Sequence, residues 1–397
     1  MSKLITENIW VLVVLLMALP VLFLPFSPIV SFIFAFSMLI LFSSYNYQVL
    51  RVIFSLVGFF SLTIIYASRA YKEELAMDLS IYYDTYNLIY RGYFFEALLL
   101  FGKGVEGGLI VLYRLYIAIF DKLTPFDLAF FNMNLCGIGC ISWLEIYGLK
   151  YVEKKYRGIC MAFFLLFFSV QMSGFLQRQA LATIILLFAI SQKKSRNFYL
   201  LTLFATFFHI TSLVLCVLFR YVLRKDFHTN SFLKVFIIVL LFRVSFPYIV
   251  QQLIGLGSII PGMEKLYQFS EISFSIASAR YAILVVLLLI INVFFYKKIN
   301  SYWKKFIIVS CFFYLIFLGI PLFSERIFFI LLYLYGYFLF VSMKELSIKV
   351  AVFFSFVYLS LFVVEKLNGL QTLYDPFWQR YPVSSIIPFY YFNPKLL

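Results

Sequence analysis

The sequence predicts an all-α, polytopic membrane protein, built as one integral membrane domain over residues 1–397. Three observations carry the prediction. The chain is 64% hydrophobic and 13% charged, with a mean hydropathy of +0.97, where a soluble protein is typically about 25% charged. Apolar runs near the spanning length of roughly 20 residues recur from end to end. Lys and Arg gather in the short loops between those runs, as the positive-inside rule expects. The net charge of +15 is therefore read as loop charge on the cytoplasmic side, with no nucleic-acid partner. Cys136, Cys140, Cys160, Cys216 and Cys311 all fall inside predicted spans. They show neither ligand nor disulfide spacing, and are read as small packing residues.

The first three spans are expected at 8–26, 28–44 and 49–67. Lys3 precedes the first run and no small-residue cleavage site follows it, so that run is expected to remain as a span. Pro25 and Pro28 mark the first turn. Residues 68–125 break the pattern and form a first large outer loop. They carry Asp78, Asp84, Glu96, Glu106, Arg114 and Asp121 among interleaved tyrosines. Within the loop, 107–120 is apolar but too short to span and has Arg114 at its middle. An interfacial or re-entrant helix fits it.

Spans follow at 126–149, 158–174 and 175–191, separated by the basic loops 150–157 and 192–197. The next segment, 198–222, has basic residues at both ends: Lys193, Lys194 and Arg196 before it, Arg220, Arg224 and Lys225 near its close. Both ends ask for the cytoplasm. A re-entrant helical hairpin broken near His209 satisfies both, and a broken helix is tolerated where protein or a wet cavity surrounds it. Further spans are expected at 232–250, 281–296, 306–322, 327–343 and 350–364, with a second outer loop at 251–280. The total is about eleven spans besides the hairpin. No internal repeat is visible, which weighs against repeat-built transporters.

This topology gathers the unusual polar residues toward one outer face. Arg178 shares a helical stripe with Gln171, Gly174 and Ala182 if the helix is continuous. An arginine inside apolar sequence is a functional candidate, although one near a span end can also snorkel. His209 is the second such intrusion, and a lone His can equally serve a structural hydrogen bond. His228 falls on the other side, so no metal site is expected. Asp78, Tyr82 and Tyr86 recur at four-residue spacing on one helical face. A carboxylate beside aromatic rings suits a sugar, whose hydroxyls bond the oxygens while a ring covers the apolar face. An ordinary interfacial helix would carry the same tyrosines. Glu106 opens the short helix at 107–120, where the helix dipole alone would favour it. Arg326 sits in the late outer turn 323–327 beside Glu325.

Taken together, these residues resemble the EpsG-like branch of the Wzy-type bacterial repeat-unit polymerases of O-antigens and exopolysaccharides. The matching pieces are Asp78 with Tyr82, the Glu106-Gly107 opening, Arg178-Gln179 with Leu181-Ala182, Phe208-His209 with Ser212, and the late Arg326. Glu106-Gly107-Gly108 departs from the Glu-Pro-Gly-Tyr common in the family. The resemblance implies a GT-C-like membrane glycosyltransferase of the bacterial inner membrane with its site facing the periplasm. It implies transfer of a growing glycan from undecaprenyl pyrophosphate onto the next lipid-linked repeat unit. No cofactor is expected. The implied partners are the undecaprenyl-pyrophosphate-linked oligosaccharide, membrane lipid and a chain-length regulator protein. Arg178 and Arg326, with Arg114, would bind pyrophosphate, and Tyr82 and Gln179 would contact substrate. Asp78 is the first candidate for the base, with Glu106 and His209 as the others. An O-antigen ligase or other GT-C transferase would share this logic. A flippase would instead place its charges along a central cavity.

Overall fold

A computed structural model describes residues 16–67, 77–100, 105–223, parts of 234–252, 281–294, 301–318, 323–344, 347–368 and 383–392. The described residues form helices and turns, with no strand among them. Helix α1 (Pro28–Leu41) begins with a proline in its first turn, where no helical N–H is lost. A short 3-10 turn ends at Asn46, whose φ of 51° reverses the chain into α2 (Gln48–Ala67). The two helices lie together, and Ser61 Oγ donates to Ser31 Oγ across their buried contact (2.9 Å). Next come α3 (Met77–Tyr90), α4 (Phe94–Leu100) and α5 (Gly108–Phe120). α6 (Pro125–Ile146) starts with a full capping box between Thr124 and Asp127 and has Pro125 in its first turn.

α6 is the central post. A Cβ at Gly137 would stand 2.0 Å from the Phe59 ring, so only glycine lets α2 come this close. Buried Trp143 donates to Leu187 O (3.0 Å) and Ser191 Oγ (2.9 Å) and so ties α6 to α9 (Gln177–Ile190). At the same end, Arg51 Nε and Nη2 donate to the two Glu145 oxygens (2.7 and 2.6 Å), joining α2 to α6. That buried fork fixes register more surely than it adds stability.

Between α6 and α9 run α7 (Arg157–Phe167) and the short α8 (Val170–Phe175). The expected continuous span through 158–174 is thus interrupted at Phe168-Ser169, and a second break falls at Leu176 (φ −112°, ψ 52°). The stripe expected to join Gln171 and Gly174 to Arg178 and Ala182 therefore spans two helices. Apolar length alone could not place these breaks, although Gln171, Ser173, Gly174 and Gln177 mark a more polar stretch around them.

α10 (Ser195–Phe208) and α11 (Thr211–Val222) replace the segment 198–222. His209 between them is extended (φ −155°, ψ 120°). Arg220, near the end of α11, donates to Gln192 O and lies 4.9 Å from the Phe198 ring at the start of α10. The second arm therefore returns beside the first, as a hairpin. At 1.5 Å per residue each arm is about 20 Å long, short of the roughly 30 Å hydrocarbon core.

The remaining helices are α12 (Ala282–Phe294), α13 (Ser301–Ile316), α14 (Phe323–Tyr333), α15 (Tyr335–Met343) and α16 (Ile348–Asn368). α15 packs against the backbone of α7 at Gly336, where a Cβ would lie 2.1 Å from Phe163 O. Of the expected spans, Gln48–Ala67 and Pro125–Tyr151 are long and apolar enough to cross a membrane, and the other apolar helices reach 10–17 residues. Among the described residues, two of the eleven expected spans are thus matched by a helix of spanning length. The second outer loop lies largely outside the described residues. Large apolar side chains stand exposed along α10, α11 and α16, among them Leu203, Val214, Val217, Phe353 and Leu361. Apolar faces this extensive mark contact with lipid or with protein.

Candidate active site

The site forms where the hairpin tip meets the start of α5 and the start of α9. Glu106 precedes α5 in the loop outside the long helices and is 4% exposed. Its neighbours Gly107 and Gly108 meet the rings at the end of α10. A Cβ on Gly107 would come within 2.9 Å of Phe207, and one on Gly108 within 2.8 Å of Phe208. The Gly-Gly pair thus has a packing cause: it admits the tip residues and brings His209 to Glu106.

Glu106 binds both elements at once. His209 Nδ1 lies 2.8 Å from Glu106 Oε1, and the Ile210 N–H donates to the same oxygen (3.0 Å). Arg178 Nη1 donates to Oε2 in a charge-assisted pair. Burial alone would raise the Glu106 carboxyl. The His209 hydrogen bond, the His209 charge once that ring is protonated in acid, the Arg178 charge and the Ile210 N–H outweigh burial and bring its pKa down to about 2. Glu106 is consequently a firm carboxylate that orients its partners and a poor proton acceptor. An acceptor at Nδ1 assigns the proton to that nitrogen. His209 Nε2 is then free of its proton, and it is buried with no hydrogen-bond partner among the described residues.

Arg178 occupies the first turn of α9, at the positive end of the helix dipole. A cation is disfavoured there unless anions compensate it. Glu106 supplies one, and the helix terminus is suited to a second. Gln179, beside it, is 8% exposed, with Nε2 unpartnered among the described residues. Arg326 lies in the first turn of α14, which packs on α9, and its charge reaches His209. Arg178 and Arg326 thus bring two guanidinium groups to the neighbourhood of Glu106 and His209, and such planar forks suit anionic oxygens.

A buried amide network stands behind Arg178. Asn132 Nδ2 donates to Gln177 Oε1 (2.7 Å), Tyr113 Oη donates to the same oxygen, and Gln177 Nε2 donates to Gly174 O (3.1 Å). Tyr116 Oη in turn donates to Asn132 Oδ1 (3.3 Å). This network links α5, α6 and the break at Leu176, and so fixes where α9 begins. Sequence reasoning weighed charged residues and passed over Asn132 and Gln177. Two neutral amides in apolar helices were the available signal.

The other predicted residues are placed as follows. Tyr82 is 5% exposed, and its hydroxyl lies near those of Tyr113 and Tyr333. Tyr86, on the same buried face, accepts from the Leu123 N–H (2.8 Å) and donates to Asp121 O (2.8 Å), which locks the turn before α6. Arg114 is exposed on α5, turned from the face that buries Leu109, Ile110 and Tyr113, and does not join the cluster. Asp84 is exposed as well. Asp78 lies on α3, and its side chain, like that of Glu325, is outside the described residues.

Comparison with known proteins gives one family. The sequence model of the EpsG family matches residues 52–378, most of the chain and every residue of the cluster. No curated protein and no solved structure matches.

Proposed function

Because the chain belongs to the EpsG family of Wzy-like polymerases, and is a membrane protein, we propose that it polymerises lipid-linked glycan repeat units. The growing chain sits on undecaprenyl pyrophosphate, and the acceptor is the terminal sugar of the next undecaprenyl-pyrophosphate-linked unit. The reaction takes place at the periplasmic face of the bacterial inner membrane, and the protein crosses that membrane many times. The observation that carries this reading is the Glu106–Arg178–His209 cluster, an anion-attracting site with a poised imidazole at the tip of an apolar hairpin.

In the proposed reaction the acceptor hydroxyl oxygen forms a bond to the anomeric carbon of the growing glycan. The bond from that carbon to the pyrophosphate oxygen breaks, and undecaprenyl pyrophosphate leaves. Arg178 and Arg326 neutralise charge growing on the departing phosphate oxygens, with planar forks that suit phosphate. Gln179 Nε2 adds a neutral donor. His209 Nε2 accepts the hydroxyl proton, while Glu106 holds the Nδ1–H and stabilises the imidazolium that forms. This assignment moves the base from Asp78 to His209. Asp78 then serves to hold sugar hydroxyls with Tyr82. The exposed apolar side chains nearest the hairpin tip, Phe204, Ile210 and Leu213, offer a bed for the polyprenyl tails.

The test is complementation. In a strain lacking the native enzyme, the intact protein restores a ladder of long surface polysaccharide, while Arg178→Ala and His209→Ala leave single repeat units. A normal ladder from either variant at normal expression removes that residue from catalysis. A deletion strain with no surface units at all would instead favour a flippase.

A further inference from the structure

The other end of the hairpin carries a second feature that this reaction does not use. A cavity of about 760 Å³ opens between the base of the hairpin, the end of α6 and the start of α13. Among the described residues, Lys150, Lys193, Lys194 and Arg220 line it, and no Asp or Glu does. The nearby basic loop is different: there Glu153 answers Lys155 (3.6 Å) and Lys344 (3.3 Å). Lys150, Lys193 and Lys194 make no ion pair among the described residues. Among the described residues, Lys150 Nζ meets only the Tyr147 ring (5.3 Å), and no carboxylate answers the three ammonium groups in this concave space.

We infer that this cavity binds the phosphate group of an anionic membrane lipid. Arg220 is already fixed for the task. Two of its N–H groups are held by Gln192 O and Lys193 O, the latter at 3.4 Å, and its plane lies over Phe198, which leaves the rest of the fork for phosphate oxygens. The N-terminus of α10 opens at the same place, and no side chain caps it. Clusters of Lys and Arg at the membrane surface favour anionic headgroups by about 1 kcal/mol per residue.

Two observations select a lipid over soluble phosphate. Tyr147, Tyr151, Tyr199 and Trp303 also line the cavity, and Tyr and Trp concentrate at headgroup depth. Directly along the arms from it, Leu200, Leu203, Val217 and Tyr221 are exposed, an apolar track for an acyl chain. A lipid seated there would clamp the base of the hairpin whose tip presents His209.

The experiment uses the full-length protein in nanodiscs of phosphatidylcholine alone or mixed with phosphatidylglycerol, released into mild detergent for native mass spectrometry. The expected result is retention of phosphatidylglycerol over phosphatidylcholine. In a Lys150→Gln/Lys193→Gln/Lys194→Gln variant that retention weakens by about a hundredfold. All three side chains are exposed, and Lys150 gives up its contact with the Tyr147 ring (5.3 Å) in the variant. Should that variant fail to fold, raising ionic strength on the unmodified protein is the second arm, and the same preference must fall with salt. Equal retention of the two lipids overturns the inference, and so does unchanged retention in the folded variant. Binding of inorganic phosphate to lipid-free protein with no preference among lipids overturns the lipid assignment as well. None of these readings requires polymerase activity, so failure here leaves the proposed reaction standing.

Discussion

Glu106→Gln is the most informative single perturbation. It keeps the shape of the side chain and removes its charge. The amide oxygen can still accept from His209 Nδ1 and from the Ile210 N–H, which lie 2.8 and 3.0 Å from the present oxygen. The amide nitrogen must then face Arg178, donor against donor, where the carboxylate now forms an ion pair. Breaking one partner of a buried pair typically costs about 3–5 kcal/mol. Arg178 is 20% exposed at its side chain, so water recovers part of that, and about 2–3 kcal/mol is the reasoned loss. Part of it appears as stability and part as misplacement of Arg178 and His209. The turnover of purified variant with lipid-linked repeat unit should fall by about a hundredfold. Unfolding in detergent should shift down by a few degrees, with the protein still folded at assay temperature. A folded Glu106→Gln protein that turns over at the unmodified rate would refute the claim that this carboxylate organises the site.

Four further outcomes follow from the same geometry. Arg178→Lys keeps the charge but loses the planar fork, and should lower turnover by about ten- to a hundredfold with Tm nearly unchanged; a fully active Lys variant would mean that charge alone suffices. Gly108→Ala places a Cβ 2.8 Å from the Phe208 ring and should cost about 1–3 kcal/mol in detergent unfolding, with partial recovery in a Gly108→Ala/Phe208→Leu double variant. Gln177→Leu leaves the Asn132 amide and Tyr113 hydroxyl without their buried acceptor and should cost about 1–3 kcal/mol; an unchanged unfolding curve would show that the network is not structural. The pH dependence has a definite sign. The Glu106 pKa is depressed to about 2 from an unfolded value of about 4.3. Its stabilisation is therefore full above the unfolded value and lost as pH falls toward 2, and Glu106→Gln should lack that acid loss.

The helix break at His209 was legible before any coordinates. Basic residues at both ends of 198–222 could not be reconciled with one crossing, and the structure returns Arg220 to Gln192 and Phe198. Helices α2 and α6 were legible because uninterrupted apolar length is itself the physical requirement for spanning. The break at Leu176 was not, because tertiary contacts of Gln177 and Asn132 decide it, and these residues lie 45 positions apart. The joining of Glu106 to Arg178 was equally hidden, across 72 positions. The Gly107-Gly108 pair read as a departure from a family pattern; its cause became visible only with Phe207 and Phe208 against it. Arg114 shows the opposite failure. The resemblance set it beside Arg178 and Arg326 on pyrophosphate, yet α5 turns Arg114 outward.

The cluster at the hairpin tip is proposed to transfer glycan between two lipid pyrophosphates. The most direct measurement supplies purified protein with a defined undecaprenyl-pyrophosphate-linked repeat unit and follows both glycan length and released undecaprenyl pyrophosphate. The account predicts one undecaprenyl pyrophosphate freed per unit added, with His209→Ala reducing both by about 10²–10⁴-fold while the protein stays folded. Elongation at the unmodified rate by folded His209→Ala, or no elongation by the unmodified protein on its own strain's repeat unit, would contradict it.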